Sequence, residues 1–134
     1  DDKESMPDQY KTVSLEEFVE YSKSMFAYWT EDDFASSFRK MLTIEQFRSE
    51  EMQGLYQQYL SSGPAAYVKD LFESMGIAHA EENAVRFYAT MYFYYSVYDG
   101  ADDKEKVKNE FASAIGSMAQ EWIKQPKLTQ IRKS

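Results

Sequence analysis

The stretch FYATMYFYYSVYDG, residues 87–100, holds seven aromatic side chains in the twelve positions from Phe87 to Tyr98 and no charge among them. A bilayer span needs roughly 20 consecutive apolar residues. Here Arg86 closes one side and Asp99 the other, and most of the aromatics are tyrosines, whose hydroxyls seek partners. The segment is therefore expected to be buried in protein. At about 100° per residue on a helix, Tyr94, Phe87, Tyr98, Met91, Tyr95, Tyr88 and Tyr92 fill one broad arc, and Ala89, Ser96, Phe93, Val97 and Thr90 fill the other. A helix without a polar face is buried all round. The arc with small residues at Ala89 and Ser96 thus calls for a second helical neighbour.

Outward from this segment, helix punctuation recurs. SLEE at Ser14–Glu17 is a capping box, and Leu15, Phe18, Val19, Ser22, Met25, Phe26 and Trp29 then share a face to about Tyr28. TEDD at Thr30–Asp33 reads as a second start, and Ser49 with Met52 as a third. The third apolar stripe keeps its phase from Met52, Leu55, Tyr56, Tyr59 and Leu60 through Gly63 and Pro64 to Tyr67, Val68, Leu71, Phe72 and Met75. Proline at 64 leaves the Leu60 carbonyl without its helical donor and kinks or ends a helix; the retained phase favours one long kinked helix over two. Gly76 reads as its C-terminal cap. The aromatic helix spans about Glu81 to Tyr98. Asp102 with Glu105 caps a last helix that reaches about Lys124 before Pro126. That last helix carries a bulky stripe (Val107, Phe111, Ala114, Ile115, Met118, Trp122) and a small-residue stripe (Ala112, Gly116, Ala119, Ile123).

The pattern predicts an all-α protein: an antiparallel bundle of about five helices in residues 14–124, a lead-in at 1–13 and a basic tail at 125–134. With 134 residues there is length for one domain and a real core. The formal charge of −8 argues against gripping a phosphate backbone. Only the end of the chain, with Lys124, Lys127, Arg132 and Lys133, is basic. Cysteine is absent, DDKESMPDQY lacks a signal-peptide pattern and no segment resembles a span, so a cytoplasmic protein is expected. A first residue of Asp1 rather than Met suggests residues missing in front.

Catalytic chemistry finds little footing. One histidine and no cysteine leave few nucleophiles or zinc ligands. His79 can be a ligand, a pH switch or a solvated loop residue. Asp99, Asp102 and Asp103 surround Gly100 without EF-hand spacing. Glu16 with Glu17, and Glu50 with Glu51, sit in first helical turns and complement the helix dipole. No enzyme activity, metal or cofactor is expected. The surplus of 11 Tyr, 9 Phe and 7 Met is either an ordinary core or the wall of a moderately polar small-molecule pocket, which would satisfy tyrosine hydroxyls that are costly to bury alone.

Residues 41–76 (MLTIEQFRSEEMQGLYQQYLSSGPAAYVKDLFESMG) and 87–122 (FYATMYFYYSVYDGADDKEKVKNEFASAIGSMAQEW) resemble the C-terminal regulatory domain of TetR-family transcriptional regulators. The shared features are a TIEQ-type segment, a long helix containing Gly-Pro, and an aromatic helix ending in YDG before an acidic-capped last helix. The resemblance covers about Ser14 to Lys124. It implies a homodimer whose last two helices form a four-helix bundle, with an effector pocket enclosed by the preceding helices. The dimer contact then falls to Ala89, Phe93, Ser96 and Val97 against Ala112, Gly116, Ala119 and Ile123, and the expected pocket walls are Met25, Trp29, Tyr56, Tyr59, Phe87, Tyr88, Met91 and Tyr95. The family's N-terminal helix-turn-helix is not found in these residues, so DNA would be engaged only through a missing N-terminal part. Two other readings remain: a solid-core helical module that binds a partner protein through its aromatic face, and a cofactor-free enzyme.

Overall fold

Six helices occupy the residues described by the computed structural model, 14–124: α1 Leu15–Glu31, α2 Asp33–Glu45, α3 Glu50–Leu60, α4 Ser62–Ser74, α5 Ala80–Gly100 and α6 Lys104–Lys124. No strand occurs among them, so the chain is an all-α helical bundle. The lead-in 1–13 and the tail from 125, with Pro126 and the basic residues beyond it, lie outside the described residues.

Caps set most helix starts. Ser14 and Glu17 form the reciprocal capping box, and the Ser49 hydroxyl accepts the Met52 N–H at 3.1 Å. Two starts are shifted from their sequence reading. The α2 cap is Asp32, whose carboxylate accepts the Ala35 N–H at 2.9 Å. Thr30 stays inside α1, which continues past Tyr28, and its hydroxyl donates back to the Phe26 carbonyl at 2.7 Å. At α6 the capping carboxylate belongs to Asp103, which accepts the Lys106 N–H at 3.1 Å, and not to Asp102.

Residues 49–76 form two helices, not the single kinked one favoured by the apolar phase. The break is one residue, Ser61, at φ −135° and ψ −105°. Pro64 supplies no N–H and its ring cannot share space with the Leu60 carbonyl. Gly63 lets the chain fold back tightly: a Cβ there would lie 2.1 Å from the Gln58 carbonyl oxygen. The stripe keeps its phase because each half points inward, but at different targets. Tyr56 and Leu60 join Leu42 of α2 in a small cluster flanked by Trp29 and Phe38. Val68, Leu71 and Phe72 enter the main core.

The main core is an aromatic lattice drawn from α1, α4, α5 and α6. Phe18 packs on Phe72 and Phe87 with ring centroids 5.1 and 5.0 Å apart. Phe72 meets Trp122 at 4.7 Å, and Phe26 stacks on Phe111 at 4.3 Å. α4 ends in a turn closed by Gly76, at φ 75°, with the Ile77 N–H bonded to the Phe72 carbonyl at 3.0 Å. That backbone geometry is the one glycine adopts without cost.

The two-faced helices are sorted unequally. On α5 the arc of Phe87, Tyr88, Met91, Tyr95 and Tyr98 is buried, whereas Ala89, Phe93 and Ser96 are exposed, so within one chain the helix is not buried all round. On α6, Val107, Phe111, Ile115 and Trp122 are buried. Ala119 joins them in the core of its own chain instead of the small-residue face assigned to it. Its spacing from Ile115 and Trp122, four residues after one and three before the other, places it on the bulky stripe.

Candidate functional site

A cavity of about 240 Å³ lies between α1, the α3–α4 junction and α5. α1 contributes Met25 and Trp29, one turn apart on the face that carries Tyr21 and Ser22. α3 contributes Tyr59 beside Gln58. α5 supplies a floor of Phe87, Tyr88, Met91 and Tyr95. Seven of the eight side chains expected as walls therefore meet around one space. Tyr56 does not line it: the hydroxyl of Tyr56 is paired with that of Tyr92, on the side of an open surface groove. The reason is local. Tyr56 and Leu60 share the face of α3 that packs on Leu42, which keeps Tyr56 in the smaller cluster and out of the cavity wall.

The sequence reading missed the contribution of α4. Gly63, Pro64, Tyr67 and Val68 close the cavity, because the break at Ser61 redirects the first turn of α4 across its mouth. Tyr21 was recoverable from its spacing of four to Met25.

Three tyrosine hydroxyls find partners within the protein, those of Tyr56 and Tyr92 with each other and that of Tyr88 with the backbone. Tyr88 donates to the Leu60 carbonyl at 2.6 Å, the acceptor that Pro64 deprives of its helical donor. Ser22 donates to the Phe18 carbonyl at 2.8 Å. Among the described residues no buried side-chain nitrogen or oxygen lacks a partner. The cavity is accordingly less polar inside than the tyrosine count suggested. Tyr88→Phe is expected to cost roughly 1–3 kcal/mol, because it leaves the Leu60 carbonyl unpaired without changing the shape of the ring; urea unfolding measures the loss, and an unchanged midpoint would disprove this role.

Arg39, absent from the sequence expectations, is the other organising residue. It is 5% exposed. Its Nη1 and Nη2 donate to the two carboxylate oxygens of Asp99 at 2.9 and 2.8 Å, and its Nε donates to the Trp29 carbonyl at 3.0 Å. The guanidinium carbon sits 5.0 Å from the centroid of the Tyr95 ring. One residue of α2 thus ties the end of α1 to the end of α5 behind the cavity floor. Its signal was legible: Ala35, Arg39 and Leu42 fall at i, i+4 and i+7, so the arginine occupies a buried stripe.

Burial pushes the Tyr56 phenol up to about 12, reinforced by Tyr92. Burial also raises Tyr88, with neighbouring tyrosines adding to it, and Tyr95; Arg39 opposes the shift at both. A phenol whose folded pKa exceeds its unfolded value of about 10 contributes stability that is intact below that value and is lost as pH rises through the folded one. For Tyr56 that window runs from about 10 to about 12. Thermal midpoints are expected to be level from about pH 7 to 9 and to fall above about pH 10, less steeply in Tyr56→Phe. A level profile through pH 11 would contradict it.

The remaining candidates are placed as follows. Phe93 and Ile123 are 60% and 59% exposed, Ala89 and Ser96 are exposed, and Val97, Ala112 and Gly116 are half-buried. His79 is an exposed residue in the left-handed region, φ 54°, ahead of α5. Among the described residues no group of three His, Asp or Glu side chains is disposed to hold a metal ion, and no helix is long and apolar enough to cross a membrane.

Fold and cavity together define a class: an all-α bundle with a partly open, aromatic-walled pocket lined by no charged side chain. Comparison of the chain with protein-family models, with curated proteins and with solved structures produced no match.

Proposed function

We propose that this chain is the effector-sensing and dimerisation domain of a TetR-like one-component transcriptional regulator, in which a small molecule in the cavity modulates a DNA-binding helix-turn-helix lying outside these residues. The observation that carries the reading is the division of α5. One face forms the cavity floor through Phe87, Tyr88, Met91 and Tyr95, and the other offers Ala89, Phe93 and Ser96 to solvent. A ligand that repositions the floor would move the exposed face with it. Such a ligand acts only through different affinities for two packings of the domain. Tyr88 is the natural transmitter, since it lines both the cavity and the outer groove and holds the α3–α4 break through Leu60.

Light scattering tests the dimer. A Cβ at Gly116 would meet nothing within 4 Å in its own chain, so a side chain can start there without a clash at its root, and loss of the dimer in a Gly116→Leu variant that keeps its helicity reports on a second copy. The expected result is a dimeric parent and a monomeric variant with unchanged helicity. A monomeric parent would defeat the dimerisation part and favour the second reading, a module that binds a partner protein. That alternative draws on Phe34, Ile44 and Phe47, which are 74%, 76% and 85% exposed around α2 and its C-terminal end.

A further inference from the structure

Resting on the effector-sensing reading, we infer that the cavity takes an uncharged, planar compound of one or two fused rings, its flat body against the α5 floor and one polar substituent at the mouth. Three observations lead there.

The first is size. A cavity of about 150 Å³ holds benzene, and drug-sized sites run upward from about 300 Å³. The space here, about 240 Å³, fits between them.

The second is charge. No Asp, Glu, Lys, Arg or His lines the cavity, and burying an ionised group without a partner is costly. An anion finds no ready counter-charge, because Arg39 stands behind the Tyr95 ring with its fork already on Asp99. A cation would be drawn to aromatic faces, but Arg39 already occupies one side of Tyr95, and no carboxylate supplements the ring faces.

The third is the placement of polar groups. Two of the inner hydroxyls, those of Ser22 and Tyr88, are committed to the Phe18 and Leu60 carbonyls, which leaves that of Tyr95 on the floor. Gln58, Tyr59 and Tyr67 stand at the exposed rim. A mostly flat, apolar interior with most of the hydrogen-bonding groups at the rim selects a ligand of the same polarity, ring inward and hydroxyl or amide outward.

Calorimetric titration of the 134-residue chain at neutral pH with 2-naphthol, 2-naphthoate, 2-naphthylmethylammonium and 1-octanol tests this. The expected result is 2-naphthol binding at least tenfold more tightly than each of the other three, and loss of that binding in Met91→Trp, which fills the floor. Met25→Trp, at a half-buried wall, provides the same test if the floor variant does not fold. Naphthoate or the ammonium binding as well as naphthol would overturn the charge assignment, and octanol doing so would overturn the planar one; either leaves small-molecule sensing standing. Naphthol binding unaltered in folded tryptophan variants would overturn the site. No binding by any probe to the folded chain would remove both the ligand class and the sensing reading beneath it.

Discussion

Arg39→Ala is expected to lower folding stability by roughly 2–4 kcal/mol. Breaking a buried pair by removing one partner costs more than the pair contributes, since the survivor keeps its desolvation penalty. Here the Asp99 carboxylate is 28% exposed while the Arg39 side chain is 7% exposed. Water can therefore rescue the aspartate in part, which places the figure below that of a fully enclosed pair. The Trp29 carbonyl also loses its donor, and Tyr95 loses the cation packed on its ring. The reciprocal change, Asp99→Ala, is expected to be at least as damaging, because the more deeply buried partner is then left charged and alone. Urea unfolding of both single variants and the double variant measures the coupling. A loss under about 1 kcal/mol for Arg39→Ala would mean that this clamp behaves like a surface ion pair, and α1, α2 and α5 would owe their arrangement to apolar packing alone.

Gly63→Ala is the second large effect, expected to cost about 3 kcal/mol. The new Cβ would fall 2.1 Å from the Gln58 carbonyl oxygen and 2.8 Å from its carbon. Both atoms are backbone, so no side-chain rotation relieves the clash. The α3–α4 break must open, and with it the cavity wall built by Gly63 and Pro64. Gly54→Ala supplies the contrast: it lies within α3 where a Cβ meets nothing within 4 Å. That variant should gain about 0.5–1 kcal/mol from reduced chain entropy. Equal midpoints for the two variants would show that the tight return at Ser61 is not a structural requirement.

These two residues also mark where sequence reading succeeds and where it stops. Helix starts at Ser14 and Ser49 were legible because a cap is a contact between residues three apart, complete within a few letters of sequence. Cavity walls on α1 and α5 were legible as well, since periodicity alone sorts Met25 with Trp29, and Phe87 with Tyr88, Met91 and Tyr95. The small shifts at Asp32 and Asp103 show the limit even there: neighbouring acids compete for one cap, and the backbone path of the preceding turn chooses between them.

Other features depended on partners distant in the chain. Tyr88 meets the Leu60 carbonyl across 28 positions and Arg39 meets Asp99 across 60, so neither bond leaves a periodic trace. Ala119 was assigned by its size to an outer face and was claimed by its own core through the neighbours of Ile115 and Trp122. By itself the sequence determined about five apolar stripes and the caps at Ser14 and Ser49, because both are products of local backbone geometry. Only tertiary structure decided that the stripe through Pro64 would serve two cores, that a tyrosine would replace the missing proline donor, and that the gap between them would remain a cavity. The reason is that burial and hydrogen bonding are satisfied by whichever groups the whole chain brings near.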